Sequence, residues 1–363
     1  AEEFAGSNLS IDDALGTTSL SYGARMALYT YLIDTATING NVKVIAQPEK
    51  AGLLGQDNTL RTKGGITEIG LSLATNVSDK WYFGGTLGIP ILSYTRYQTY
   101  READLSGNTN NDFESFTYQE TYTSKGVGLN LKLGMIFKPT ASWRLGLAIH
   151  TPSVYGVTDK INASLVARTE NYTSSPQASI SSDSLDLLSG IAGNSINYNL
   201  YTPWKFLVSG SYVFGGESKD IRQQKGFITA DVEYTTITST HFQRADQNTD
   251  ANYYDAVNSA IKGYYKGSLG ARLGGELKFN TFMARAGVAY YTNPYNDSQL
   301  KADRLFLSGG IGYRDSGFFI DLTYVQGFSR DVNFPYRLSD KANTFSTLKE
   351  MGGTVVATFG IKF

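Results

Sequence analysis

The stretch 127–152, VGLNLKLGMIFKPTASWRLGLAIHTP, decides the fold class. From Val127 to Phe137 every odd position is large and apolar: Val127, Leu129, Leu131, Leu133, Met135 and Phe137. Between them stand Gly128, Asn130, Lys132, Gly134 and Ile136. After Lys138–Ser142 the alternation resumes with Trp143, Leu145, Leu147 and Ile149, against Arg144, Gly146, Ala148 and His150. A period of two belongs to a β-strand whose two faces differ. One face of this hairpin is grease and the other is mostly glycine and charge. The fold depends on which face points inward.

The pattern recurs at 66–78, 81–92, 203–214, 226–238, 267–279, 282–291, 304–314, 318–326 and 352–363. With the opening pair this makes about eleven strands of period two. Their connections alternate in length. Short ones fall at 76–80, 138–142, 215–224, 280–281 and 315–317, and long ones cover roughly 95–122, 156–200, 239–264, 293–303 and 328–349. A soluble sandwich has no reason to sort its loops this way, whereas an outer-membrane barrel has short periplasmic turns and long external loops. Aromatics sort likewise. Trp81, Phe137, Trp143, Phe214, Phe279, Phe282, Tyr313, Phe318 and Phe363 flank short turns, while Trp204, Tyr234, Tyr290 and Tyr324 lie toward the long-loop ends. Two such girdles suit the two interfaces of a bilayer. The apolar face is therefore expected to meet lipid, in an all-β, antiparallel transmembrane β-barrel.

Composition is compatible with this and excludes other classes. The 363 residues carry a net charge of -1, which gives no basic footprint for nucleic acid. There is no cysteine, hence no disulfide framework, thiol chemistry or Cys-rich zinc site. Gly (38) and Tyr (25) are abundant against 8 Pro, a balance that favours strands. No run of eighteen apolar residues suggests a membrane helix. The start AEEFAGSNLSIDD has no basic-then-apolar leader. Mean hydropathy is mildly negative, but a barrel strand meets lipid with only half its residues. An enzyme is not expected, because neither histidine, His150 or His241, accompanies a Gly-x-Ser-x-Gly elbow or a paired nucleophile. No cofactor and no metal are expected.

Strand direction raises a parity question. If the last strand ends in the periplasm, the strand at 66–78 also runs inward. Residues 1–61 then begin outside, as a loop-like segment preceding a barrel at 62–363. Either a further strand lies in 21–34 or 39–46, or strands precede Ala1. The run 21–34 is apolar on both phases and reads better as a helix or buried loop, which favours preceding strands.

The pair LKLGMIFKPTASWRLGLAIHTPSVYGVTDKI (131–161) resembles a hallmark of the FadL family of outer-membrane transporters for hydrophobic compounds. TPWKFLVSGSYVF, LSGGIGYRDSGFFIDLTYVQGF and the terminal VVATFGIKF resemble later strands of that family. ALYTYLID with GLNLKLG and LAIHTP looks closest to its Bacteroidetes branch. The resemblance spans roughly 20–363. It implies a fourteen-stranded barrel, an N-terminal hatch and a lateral opening in the wall. It also implies passive uptake of long-chain fatty acids or aromatic hydrocarbons across the outer membrane. Three strands and the hatch would then precede Ala1.

Inward-phase apolar residues that could contact such a ligand are Tyr82, Leu92, Tyr94, Leu207, Phe227, Met283, Tyr291 and Phe319. They could equally pack against a plug. Inward-phase charges are Glu68, Lys132, Arg144, Lys205, Asp231, Glu233, Arg272, Glu276, Lys278, Arg285, Arg314 and Asp321. A polar lumen that pairs its charges across strands accounts for them, with Arg272 expected against Asp231 and Glu233. Pro90 suggests a kink or bulge. The loop segments 184–193 and 251–265 are apolar-rich, and Tyr254, Val257, Ile261 and Tyr265 recur at helical spacing. An external helix there could capture substrate, cap the mouth or dock a protein. Two functions follow. One is a passive channel for hydrophobic small molecules, working by loop capture, a lumen pocket and lateral release. The other is a non-transporting barrel subunit of a larger outer-membrane complex for protein secretion or barrel assembly, partnered by other outer-membrane proteins. A polar diffusion pore is a third possibility and predicts a wide charged lumen.

Overall fold

The hairpin at 127–152 forms in the register its alternation requires, Leu133 opposite Ile149 and Met135 opposite Leu147. The computed structural model describes residues 1–17, 19–172, 177–189, 195–215, 225–245, 251–315, 317–334 and 345–361. Phe363, most of the 215–224 turn and parts of the 184–193 and 328–349 segments lie outside the described residues.

The chain opens with helices α1 (Glu2–Ser7), α2 (Ile11–Gly16) and α3 (Tyr22–Tyr29), then a separate hairpin of β1 (Ile33–Ile38) and β2 (Asn41–Ala46). The 21–34 run is thus mainly a helix, and 39–46 belongs to this small hairpin rather than to the wall. Ser21 caps α3 through the Ala24 amide, and the Ala-Arg-Met-Ala-Leu run at 24–28 is buried throughout.

The wall is an antiparallel meander. It begins with β3 (Leu54–Val77), β4 (Trp81–Asp104) and β5 (Ser115–Phe137). Next come β6 (Trp143–His150) and β7 (Val154–Arg168), which pair with the lower and upper parts of β5 as one bent strand. After β8 (Gln177–Ser181) and α4 (Ser182–Ser189), β9 (Ser195–Tyr201) and β10 (Lys205–Phe214) form a second bent strand. β11 (Gly226–Thr235) and β12 (His241–Arg244) form a third, flanking the 3-10 turn Ile237–Ser239, and helix α5 (Ala251–Tyr264) follows. β13 (Ser268–Phe279), β14 (Phe282–Tyr291), β15 (Arg304–Arg314), β16 (Phe318–Asn333) and β17 (Ser346–Ile361) complete it. Taking each bent pair as one strand, eleven wall strands are present among the described residues.

Burial identifies the outward face. Leu129, Leu133, Trp143, Leu147, Val208, Leu273 and Ile311 are exposed, while the alternate positions Asn130, Arg144, Ser209, Arg272 and Gly312 are buried or half-buried. Grease on the exposed phase over so many strands is the pattern of a lipid-facing barrel wall. Among the described residues no helix is long and apolar enough to cross a membrane. Rings pack along the short-turn side: Trp81 lies 4.2 Å from Phe137, Trp143 5.1 Å from Tyr212 and Phe282 5.2 Å from Tyr313.

Several strands are far longer than the sequence pattern suggested. β4 and β5 pair from Trp81–Phe137 up to Ala103–Ser115, through most of the 95–122 stretch expected to be a loop. Likewise β7 runs to Arg168, β16 extends to Asn333 and β17 starts at Ser346. β3 begins at Leu54, within the segment expected to lie wholly outside the wall. The physical reason is a change of face. On β5 the outward positions are Val127, Leu129, Leu131 and Leu133 below, then Lys125, Thr123, Thr121, Gln119 and Thr117 above. On β4 they change from Leu87, Ile89 and Ile91 to Ser93, Thr95, Tyr97 and Thr99. A transmembrane strand needs only about 9–11 residues, so the upper halves of these strands stand beyond the lipid.

That boundary coincides with a row of interruptions across neighbouring strands. The β4–β5 ladder skips Ile89 and Pro90, β6 and β7 are separated by Thr151–Ser153, and β9 and β10 by Thr202–Trp204. Proline withholds an amide from the ladder at each place, and threonines fill in. The Leu131 amide donates to Thr151 Oγ1 at 3.0 Å, Ser153 to Thr202 Oγ1 at 2.8 Å and Trp204 to Thr236 Oγ1 at 3.1 Å. Gly64, at φ 118, sits so close to the Ser93 carbonyl that a Cβ would collide with it.

β3 pairs only with β4, and β17 only with β16, among the described residues. Both run toward the short-turn side, so the two free edges are parallel to each other.

Candidate functional site

Residues 1–53 fold over the upper inner face of the wall. Phe4, Ala14, Leu20, Met26, Leu28, Leu32 and Ile33 form one core with Phe113, Ala163, Leu165, Ala167, Ile180 and Leu185. Burying each large side chain of this kind contributes about 1.5–3 kcal/mol. The seal is tied by polar contacts. Tyr22 Oη donates to both Asp186 carboxylate oxygens at 2.9 and 2.7 Å, and Tyr172 Oη donates to Asp34 at 2.8 Å. Buried Arg25 donates from Nε and Nη2 to the Leu15 carbonyl at 3.3 and 2.9 Å, with Nη1 4.0 Å from Asp186.

Beneath this roof lies a cavity of about 860 Å³. Leu20, Ala27, Leu32 and Ile33 line it from the roof, and Phe116, Ile161, Leu165 and Ile196 from the wall. Its polar groups include Tyr22, Arg25, Glu49, Tyr100, Glu102, Tyr118, Glu120 and Asp186. An apolar concavity with a few placed polar groups suits a small hydrophobic molecule. Tyr100 Oη donates to Glu102 at 2.5 Å, Gln56 Nε2 to the same oxygen at 2.7 Å, Tyr118 Oη to Glu120 at 2.9 Å and Arg96 to Glu120 at 2.6 Å.

The inner face of β5 continues downward from Phe116, Tyr118 and Glu120 to Tyr122 and Ser124. Tyr122 and Tyr198 both donate to Asp159 Oδ2, at 2.5 and 2.9 Å. Arg96 sits 5.4 Å over the Tyr122 ring and Tyr94 lies 6.3 Å from it. Tyr155, Val157, Tyr198 and Tyr254 pack with Leu92, Leu200 and Phe242. Tyr254 comes from α5, which is held on β12 by Asn258, bonded to the Phe242 amide and carbonyl at 2.8 Å each. The segment 251–265 is therefore a helix docked against the wall.

Lower down, the inward charges pair across strands. Arg272 contacts Asp231 at 2.9 Å and Glu233 at 2.6 Å, and Arg285 contacts Glu276 and Asp321 at 2.7 Å each. Lys132 pairs with Glu68 and Lys205 lies 3.7 Å from Glu233, while Lys278 lies 3.9 Å from Glu276 of its own strand. Arg144 and Lys278 line a smaller cavity of about 400 Å³ with Phe227. Arg314 is exposed at the short-turn end, 5.3 Å over Phe319.

The eight apolar residues chosen from sequence do not converge. Leu92 and Tyr94 join the upper aromatic group. Phe227 lines the small lower cavity, and Met283 is buried beside Arg285. Tyr291 is stacked between Arg272 and Arg304 at 5.5 and 5.6 Å. Tyr82 is near the turn below, donating to the Asp79 carbonyl at 3.4 Å, Phe319 abuts Gly360, and Leu207 is half-buried in β10. None of the eight lines the large cavity. Its β5 residues follow a period-two run, Phe116-Tyr118-Glu120, which Tyr122 continues below the cavity and whose outward partners are Thr and Gln.

Burial and the Asp34 bond push the Tyr172 phenol up to about 12, and burial with the Asp186 bond raises Tyr22 further. A raised phenol stabilises docking fully below its ordinary value of about 10, and loses that contribution as pH rises through the folded value. The distance between labels at Asn39 and Asn108 is expected to hold to pH about 10 and lengthen toward pH 12. Lengthening at neutral pH would exclude these tyrosines as the ties.

Among solved structures the chain is similar to the toluene transporter TbuX of Ralstonia pickettii, at 14% identity and TM-score 0.47, covering 84% of this chain and 69% of that one. It is similar to the toluene transporter TodX of P. putida, at 11% and 0.41, covering 85% and 89%. It is also similar to a Pseudomonas aeruginosa FadL homologue, at 14% and 0.43, covering 79% and 76%. No family model and no curated protein matches the chain.

Proposed function

We propose that this chain forms most of the wall of a FadL-type channel in a bacterial outer membrane, passively admitting hydrophobic small molecules. The observation that carries the proposal is the apolar cavity roofed by residues 1–53 above a lipid-facing wall. Capture occurs in that cavity, passage follows the tyrosine-lined inner face of β5, β7 and β9, and the paired charges below fill a polar lumen. Lateral release is assigned to the level of Pro90, Pro152 and Pro203, where neighbouring strands lose ladder bonds. The aromatic rows at the short-turn and long-loop ends serve as interface girdles.

The free edges of β3 and β17 cannot remain unpaired in hydrocarbon. They are parallel, so neither joins the other in an antiparallel ladder. A second copy in the same membrane offers edges of the same direction. An odd number of further strands, running outward at both edges, therefore completes the barrel and leaves 1–53 as an external segment.

Gly23 lines the cavity, and a Cβ there meets only Ser21 Oγ at 3.9 Å, so Gly23→Trp fills the space without disturbing the helix. Entry of N-phenylnaphthylamine, a neutral dye bright in apolar surroundings, is expected to fall to the level of cells lacking the protein. The folded barrel should be present in equal amount. Unchanged entry with normal folding would sink the transport reading and favour the non-transporting subunit of a larger complex.

A further inference from the structure

The cavity's charge is lopsided. Its lining side chains include four carboxylates, Glu49, Glu102, Glu120 and Asp186, against the single guanidinium of Arg25. Arg25 is only 3% exposed and engaged with the Leu15 carbonyl and Asp186, so its charge is turned into the roof. Arg96 reaches Glu120 from below the cavity at 2.6 Å. Glu102 is 5% exposed, so its charge is felt through little water. The remaining polar side chains are the tyrosines and the hydroxyls of Ser21 and Ser195. Tyr22, Tyr100 and Tyr118 each give their hydroxyl to a carboxylate, which leaves ring faces with their negative quadrupole beside the cavity. Further along the same face, Tyr122 and Tyr198 flank Asp159, whose Oδ1 is buried without a hydrogen-bond partner among the described residues.

Resting on the reading of this cavity as the capture site, we propose that it selects amphiphiles with a cationic or hydrogen-bond-donating head and rejects carboxylates. Tyrosine faces and carboxylates attract a cation together. A hydroxyl head donates to a carboxylate oxygen. A fatty-acid anion would bring a like charge into a site with no exposed cation among its lining side chains, and like charges meeting out of water repel strongly. The hydrocarbon part of each ligand lies against Leu20, Phe116 and Leu165, so chain length and head group act separately.

The test uses the full protein in lipid nanodiscs with Phe116→Trp as reporter and Trp81, Trp143 and Trp204 replaced by Phe. The probes are the bromine-tagged alcohol, carboxylate and trimethylammonium of one chain length, and the readout is quenching of the single introduced indole. The trimethylammonium and the alcohol are expected to quench at concentrations at least about tenfold below the carboxylate. In Glu102→Gln the gap between ammonium and carboxylate should narrow. Should the reporter variant misfold, the same ranking is read from how far each untagged ligand raises the unfolding temperature of the unmodified protein. Equal quenching by all three, or a lead for the carboxylate, overturns the head-group assignment while leaving the cavity as a binding site. Quenching by none overturns the capture reading and the assignment with it.

Discussion

Leu147→Arg is expected to destabilise the folded protein in a bilayer by about 2–4 kcal/mol, the cost of a cation on the lipid face near the midplane. Leu147 lies midway between Trp143 at the short-turn edge and the Thr151-Pro152 step, 51% exposed, with Met135 and Val208 as its cross-strand neighbours. It stands on the exposed, apolar face of the wall, so hydrocarbon is its surroundings. Gln119→Arg makes a sharper comparison. Gln119 is also exposed and on the outward phase of β5, but lies above the level where Lys125 and Thr123 replace leucine. There the same side chain meets water, and the change should stay within about 0.5 kcal/mol. Unfolding of both variants by urea in lipid vesicles measures the difference. Equal costs would remove the membrane boundary assigned to the row of threonine-proline steps.

That boundary explains what could and could not be read from sequence. The lipid-spanning halves announced themselves because grease and glycine alternate there, as in Leu129-Asn130-Leu131-Lys132. The upper halves alternate too, but between Thr or Gln outside and Tyr or Glu inside. Both phases are polar by type, so 95–122 looked like a loop although β4 and β5 stay laddered on either side of the tip at 105–114. The lumen pairing of Arg272 with Asp231 and Glu233 followed from neighbouring strands of known phase. The cavity did not, because it needs Tyr22 beside Asp186, 164 positions apart, and a helix lying on strands that sequence had placed in a loop. The run Phe116-Tyr118-Glu120-Tyr122 was the available signal: inward aromatics at period two, with no lipid to demand them.

The second large effect concerns the roof. Arg25→Met is expected to weaken docking of residues 1–53 by about 3–5 kcal/mol, the usual penalty for removing one partner of a buried ion pair. Arg25 is 3% exposed, and its loss leaves the Leu15 carbonyl without its two guanidinium bonds and Asp186 without its neighbouring cation. Among the described residues Tyr22 alone would then hold this nearly buried carboxylate, without a cation beside it. The companion variant Arg25→Met with Asp186→Leu removes both charges and supplies apolar volume. Substitution of a buried pair by hydrophobic residues is often neutral or better, so the double variant should recover most of the loss. Hydrogen exchange of the α3 amides gives the readout, since they are shielded only while the roof is docked. Fast exchange in Arg25→Met and near-normal protection in the double variant would show that the pair sets specificity of docking rather than its strength. If the double variant exchanges as fast as the single one, the guanidinium bonds to Leu15 carry the stability. The roof would then depend on closing the end of α2 rather than on the bridge to α4.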